Sequence, residues 1–205
     1  MHVNVGYKLS NKAPIRDSLK LSELPSGSPV TLNTEHYLEH HGITQFTITH
    51  CSNTYFTRDG ICFILYGPGL AYQERLMGGY GRFYNPAGLA LGKYVFFSGN
   101  FYMASHVFVV EGVADALAIW QEGYESIALL GTMLTPDRVN LILKLGKYKK
   151  VLFIPDNDNA GIGCVANISN YLPLWRGNIR YLPAMYKDFC DMPVEFRADW
   201  LKRAI

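Results

Sequence analysis

Two stretches decide the fold: Val107-Phe108-Val109-Val110-Glu111-Gly112-Val113-Ala114-Asp115-Ala116, and Val151-Leu152-Phe153-Ile154-Pro155-Asp156-Asn157-Asp158-Asn159-Ala160-Gly161. Each opens as a short apolar run rich in β-branched residues, ends that run on acidic residues, and continues into a helix-like segment. The pattern puts Glu111, Asp156 and Asp158 at the C-terminal ends of two strands, where ligands bind in open parallel α/β sheets. Two carboxylates ~5 Å apart repel by ~3 kcal/mol at an effective dielectric of about 20. Acids converging there therefore point to a hard cation between them. Mg²⁺ or Mn²⁺ takes oxygen ligands and keeps positions open for phosphate oxygens. The chemistry implied is metal-assisted phosphoryl or nucleotidyl transfer.

Each acid also has a plainer reading. Glu111 is the first candidate catalytic residue and metal ligand, and Gly112 after it lets backbone approach a ligand closely. As a plain acid at a helix start it would only complement the helix dipole. Asp115, four residues on, shares its helix face and is a candidate to share the cation or simply a first-turn acid. Asp156 and Asp158 alternate, so in an extended loop they point the same way. Either one is also placed to cap the helix that follows. Asp188 and Asp191, three apart with Lys187 adjacent, suit a second metal or a triphosphate, or a solvated turn.

Outward from these motifs, the chain from about Tyr94 alternates strands and helices. Val107–Val110, Ser126–Leu130, Val151–Ile154 and Ile179–Leu182 read as strands. Asp115–Gln121, Thr135-Pro136-Asp137 through Leu145, Ala160–Tyr171 and Pro193–Ala204 read as helices, with Gly123 and Gly146 as stops. Strands separated by helical runs give βαβ units and a mainly parallel sheet. Upstream, Asn33 or Thr34 is placed to cap a short helix ending at Gly42. Tyr55–Thr57 and Ile61–Tyr66 flank Arg58-Asp59-Gly60, a hairpin turn, and Ala71–Met77 is a further strand. Residues 1–31, with Pro14, Pro25, Gly27 and Pro29, read as an extended arm with one helical turn near Arg16–Leu24. The expected organisation is an arm at 1–31, a small α+β lobe at 32–100 and an α/β lobe at 101–205, with the boundary near Asn100.

The bulk numbers fit this. At 205 residues the chain suits one large domain or one with a small lobe. No run approaches the ~20 apolar residues of a membrane span, and the N-terminus lacks the apolar core of a signal peptide; a cytoplasmic protein without a membrane partner is expected. The net charge is only +2, but six of the 17 acidic residues lie in the proposed site, leaving 19 basic against 11 acidic elsewhere. With the site neutralised by metal, that surplus suits a phosphate backbone. Cys51, Cys62, Cys164 and Cys190 form no CxxC pair, so no zinc ribbon and no zinc are expected. His36 and His40, spaced i, i+4, read as exposed helix residues.

The motifs also carry a resemblance. The Glu111-Gly112 pair after a strand, the Asp156-x-Asp158-x-Ala160-Gly161 loop and Lys187-Asp188-Phe189-Cys190-Asp191 resemble a TOPRIM domain, the fold shared by bacterial-type primases, topoisomerases and some nucleases. Gly131-Thr132-Met133-Leu134-Thr135 resembles the Gly-Thr-x-Leu-Thr segment of primases. His36-Tyr37-Leu38-Glu39-His40-His41-Gly42-Ile43-Thr44 and Gly79-Tyr80-Gly81-Arg82-Phe83-Tyr84-Asn85-Pro86 resemble the smaller half of a primase catalytic core. The likeness runs from roughly Thr31 to Pro193. It implies a DNA primase that makes short RNA primers on single-stranded DNA from nucleoside triphosphates with Mg²⁺ or Mn²⁺. It also implies that Glu111 is a general acid or base, and that Glu111, Asp115, Asp156, Asp158 and Asp188 hold metal. Arg75, Arg82, Asn85 and Lys187 would touch template or nucleotide; Arg82 stands where lysine is common. Tyr80, Phe83 and Tyr84 could stack bases, although small-lobe core is the commoner fate of such aromatics. Without a zinc module or a helicase domain, the chain is expected to rely on a replicative helicase or a separate template-recognition protein, as in a phage, plasmid or other mobile element. Two rivals share the motifs: a TOPRIM-type metal-dependent nuclease and a non-catalytic replication adaptor.

Overall fold

Helix α1 (Leu32–His41) starts at Thr31, whose hydroxyl accepts the Thr34 N–H while Thr34 Oγ1 accepts the Thr31 N–H. The cap is thus Thr31 rather than the expected Asn33 or Thr34, because the residue three before Thr34 is the one in extended backbone. The helix stops at Gly42, whose φ of 62° is the left-handed conformation glycine adopts without strain. The computed structural model describes residues 15–77, 83–99, 105–147, 149–171 and 178–205. A second short helix, α2 (Gln45–His50), follows, capped by Thr44. Its β-branched run Thr47-Ile48-Thr49 would suit a strand. Gln121 holds it as a helix by accepting from the Thr44 N–H and the Thr47 hydroxyl while donating to the Gly42 carbonyl.

The hairpin of β1 (Thr54–Phe56) and β2 (Gly60–Tyr66) turns at Asp59-Gly60, with Phe56 opposite Ile61. β3 (Ala71–Leu76) pairs antiparallel with β2, and the two-residue β4 (Phe83–Tyr84) pairs antiparallel with β3. The arm lies along this sheet through bridges Arg16–Leu89 and Gly27–Thr57, with one 3-10 turn at Leu21–Glu23. β5 (Val95–Phe97) then joins two halves of the molecule: it is antiparallel to β2 on one side and to β7 (Glu125–Ala128) on the other.

Beyond β5 the pairing becomes parallel. β6 (His106–Val110) lies between β7 and β8 (Lys150–Phe153). The full path is β4-β3-β2-β5-β7-β6-β8, with β1 on β2. The expected fourth strand at 179–182 is reduced to one parallel bridge, Phe153–Ile179. A single bridge forms because the segment turns away at once, with Leu182 and Pro183 carbonyls accepting from the Asn157 side chain. Asn100 lies outside the described residues.

Both faces of the parallel half are covered. Val107 and Val109 pack with Val139, Ile142 and Cys164 of α4 (Pro136–Leu145) and α5 (Asn159–Tyr171). Phe108 and Val110 pack with Leu117 and Leu201 of α3 (Val113–Gln121) and α6 (Val194–Ala204). Burying each such side chain contributes about 1.5–3 kcal/mol. This alternation fixes strand register, and therefore aims the loops after β6 and β8 to one side.

Candidate active site

The two acidic loops leave the C-terminal ends of adjacent parallel strands, so they meet by construction. Glu111 follows β6 and is buried; its Oε1 accepts the Asp156 N–H at 3.4 Å. Burial raises its carboxyl pKa and the Asp158 charge adds to this, while the Asp156 hydrogen bond and Lys187 oppose it. Asp156, after β8, is the most perturbed acid. Burial, then the charges of Asp115, Glu111, Asp188 and Asp158, push it up to about 8. Asp115 lies in the first turn of α3, 6% exposed, and is pushed to about 6 by burial and Asp188 while the Cys190 N–H, 3.0 Å from its Oδ1, holds it down. The charges of Asp115, Glu111, Asp188 and Asp158 therefore all bear on Asp156.

The glycines beside them are spacing devices. A Cβ on Gly112 would stand 2.8 Å from Asp115 Oδ2, and one on Gly161 2.1 Å from the Asp156 carbonyl oxygen. Any side chain at Gly161 would move the Asp156 loop itself.

Local hydrogen bonds hold several of the acids apart. Asp158 Oδ1 accepts the N–H groups of Ala160 and Gly161, both 2.9 Å, capping α5. Asp188 Oδ1 accepts the Asp191 N–H, and Asp191 Oδ2 the Lys187 N–H. Each of these carboxylates keeps a second oxygen outside its local hydrogen bond. Among the described residues, no three His, Cys, Asp or Glu side chains stand close enough to enclose a metal ion as they are placed. The donor chemistry fits one nonetheless: the clustered groups are hard carboxylate oxygens whose mutual repulsion a divalent cation would relieve. A thiolate site is disfavoured, since burial raises the Cys190 pKa and its N–H is committed to Asp115.

Facing the acids is the small half of the sheet. A cleft of about 320 Å³ is lined by Glu111, Asp156, Leu130 and Gly131 on one side and by Gln73 and Phe83 on the other. Leu130 has a φ of +59°, uncommon for a residue with a side chain, at the point where the chain leaves β7 beside Glu111. On the opposite wall Arg75 lies over the rings of Tyr37 (5.2 Å) and Phe83 (5.1 Å). Its Nε is buried and unbonded among the described residues. Asn85 Oδ1 accepts from Gln73 Nε2 at 2.9 Å. Arg82 and Tyr80 lie outside the described residues. Phe83 and Tyr84 are about two-fifths exposed, not core, because β4 is a two-residue strand at the sheet edge. Lys187 is exposed on the loop beside Glu111.

Sequence reasoning missed three contributors. Gln73 could have been found, since Gln73 and Arg75 put two polar groups on one face of β3. The Cys190 N–H gave no signal. Neither did Arg197, which is 1% exposed and donates to the carbonyls of His41, Gly42, Cys190 and Met192.

Residues 108–192 match the Toprim-like family. No curated protein matches the chain. Among solved structures, the primase fragment of the bacteriophage T7 primase-helicase protein is similar with a TM-score of 0.62 and 14% identity, over 94% of this chain and 80% of that one. The E. coli primase catalytic core gives 0.56 and 19%, over 86% and 70%. A DnaG primase catalytic domain bound to ssDNA gives 0.54 and 18%, over 86% and 71%. The Toprim-like domain and the half before it together therefore have the fold of a primase catalytic core.

Proposed function

We propose that this chain is a primase-type nucleotidyltransferase that makes short RNA primers on single-stranded DNA. The observation that carries this reading is the 320 Å³ cleft, with Glu111 and Asp156 on one wall and Gln73 and Phe83 on the other. A nuclease needs the acids alone. A template-directed polymerase also needs a second wall to hold a nucleotide, and the likeness to primase cores extends over that wall.

In this reading Glu111, Asp156 and Asp158 would hold Mg²⁺ or Mn²⁺, with Asp115 and Asp188 completing the charged cluster. When bound, the ion supplies neutralisation of the triphosphate and of charge developing at the reacting phosphorus. The 3′ oxygen of the growing strand attacks the α-phosphorus and pyrophosphate leaves. Glu111, whose pKa is raised by burial, would take the 3′ hydroxyl proton. Lys187 and Arg75 would meet phosphate charge, Asn85 the nucleotide, and Arg82 the template or nucleotide. The arm, small lobe and Toprim-like lobe divide at about residues 31 and 100. No helix among the described residues is long and apolar enough to cross a membrane, which agrees with work in the cytoplasm of a bacterial cell or infected host, beside a replicative helicase or separate template-recognition protein.

The test is to incubate the protein with single-stranded DNA, Mg²⁺ or Mn²⁺ and labelled nucleotides. Labelled oligomers that disappear with Asp156→Asn are expected. Cutting of labelled DNA without synthesis would assign the site to a nuclease, and neither activity to an adaptor.

A further inference from the structure

β3 and β4 meet as two successive cross-strand pairs, and Gln73 and Phe83 of this ribbon line the cleft. Arg75 is paired with Phe83, and Glu74 with Tyr84. By the two-residue period, Gln73 and Asn85 continue the Arg75–Phe83 face while Glu74 and Tyr84 turn to the other. The Gln73–Asn85 hydrogen bond shows that the register holds one pair beyond the strand. The ribbon thus presents an aromatic face and, beside it, a pair of linked amides.

The amides are built in differently. Gln73 is 6% exposed, fixed in the middle of a paired strand, and its Nε2 is spent on Asn85. No hydrogen bond among the described residues uses its Oε1, which leaves an acceptor on a residue that lines the cleft. Asn85 is exposed and, with its Oδ1 engaged, keeps its two N–H donors. Together they offer one acceptor and a donor pair, with no charge. Phosphate is poorly served by such a pair, and Lys187 and Arg75 already supply cations.

We propose that the Gln73–Asn85 pair reads the ribose 2′-hydroxyl of the incoming nucleotide and makes the site selective for ribonucleotides. This rests on the polymerase reading. The choice between sugar and base follows from templating. An enzyme that copies a template must accept every base, so a fixed amide pair reading a base edge would work against it. The sugar is common to all four nucleotides. A 2′-hydroxyl is donor and acceptor at once, which matches the free Oε1 of one amide and the free N–H groups of the other. Phe83, beside them, offers an exposed ring face on which any base can stack.

The experiment compares kcat/KM for ribonucleoside and 2′-deoxyribonucleoside triphosphates in the wild type, Gln73→Leu and Asn85→Ala. In parallel, the thermal shift of each protein is read with ATP·Mg²⁺ and dATP·Mg²⁺, which needs no synthesis. Leucine keeps the buried volume, and Asn85 is exposed, so both variants keep the fold; circular dichroism checks this. The wild type is expected to favour ribonucleotides. Gln73→Leu should lower the ribo-to-deoxy ratio by about tenfold through the ribonucleotide value, the worth of one hydrogen bond to a buried partner. Asn85→Ala should lower it in the same direction. If nucleotides are bound or joined but the wild type does not discriminate, or the ratio is unmoved in Gln73→Leu, the sugar assignment is overturned and the polymerase reading stands. If no nucleotide is joined and none shifts the melting temperature, the polymerase reading itself fails and takes this assignment with it.

Discussion

Buried charge is handled in opposite ways at two places linked through Cys190. At the mouth of the parallel strands, Asp156 lies among Asp115, Glu111, Asp188 and Asp158, with its pKa pushed to about 8. The Arg197 guanidinium is buried more completely, yet among the described residues its hydrogen bonds go to backbone carbonyls and it forms no ion pair, although Glu122 feels its charge. Cys190 belongs to both settings: its N–H steadies Asp115 and its carbonyl accepts from Arg197 at 2.7 Å. A satisfied charge is a rivet, here tying the end of α1 to the loop before α6. A cluster of one sign without a counter-charge is held under repulsion that a bound cation would relieve. Arg138 repeats the first pattern, donating to the carbonyls of Leu91, Met133 and Tyr94.

The contrast can be broken most decisively at its acidic end. Asp156→Asn is expected to reduce primer synthesis by roughly a thousandfold, equivalent to about 4 kcal/mol of transition-state stabilisation. The metal-free variant should melt no lower than the wild type, because a repulsive charge has gone. Retained synthesis together with a lower melting temperature would make the cluster structural.

Arg197→Met should do the reverse. It leaves four carbonyls without their donor and is expected to cost on the order of 3 kcal/mol in urea unfolding. A cost below about 1 kcal/mol would show that the rivet is dispensable and the contrast unreal.

The pH dependence sharpens the comparison further. Asp156 and Asp115 have folded pKa values of about 8 and about 6, above their ordinary value of 3.8. The folded state therefore binds their protons more tightly than the unfolded state does. Their stabilising contribution is complete below about pH 4 and is lost as pH rises through 6 and 8. Melting of the metal-free protein should accordingly fall from pH 4.5 to pH 8, and Asp156→Asn should flatten the upper part of that fall. Added Mg²⁺ should restore the loss near pH 8 in the wild type more than in the variant. A flat profile in the wild type would mean that neither burial nor the neighbouring charges raise these two acids in the folded state.

The smallest expected effect is at Arg82. Arg82→Ala should make the salt dependence of single-stranded DNA binding shallower by ~0.7, the loss of one phosphate contact. An unchanged slope would remove Arg82 from the interface.

What the sequence disclosed follows the same division. The nearness of Glu111, Asp156 and Asp158 was legible because the apolar runs before them read as strands of one parallel sheet, and β6 and β8 are adjacent in it. α4 was legible to the residue, since Thr135-Pro136 and Gly146 specify both ends through backbone chemistry alone. Long-range partners were not. α2 depends on Gln121, more than seventy residues away. Arg197 at a helix start looks like a surface charge until the carbonyls of His41 and Gly42 arrive. The segment at Ile179–Leu182 has strand-like residues, but whether it pairs depends on what Asn157 does with its carbonyls. Exposure of Phe83 and Tyr84 depends on β4 being the last strand of the sheet, a fact of topology rather than of composition.

The seam at β5 carries a mechanical consequence. Its hydrogen bonds to β2 and β7 make the two walls of the cleft parts of one sheet. Opening the cleft like a jaw would require tearing the Phe96–Ala128 and Leu65–Phe96 pairings at its root. The two walls are therefore joined without a hinge at β5, and any change in the width of the cleft has to come from twisting or bending of the sheet as a whole.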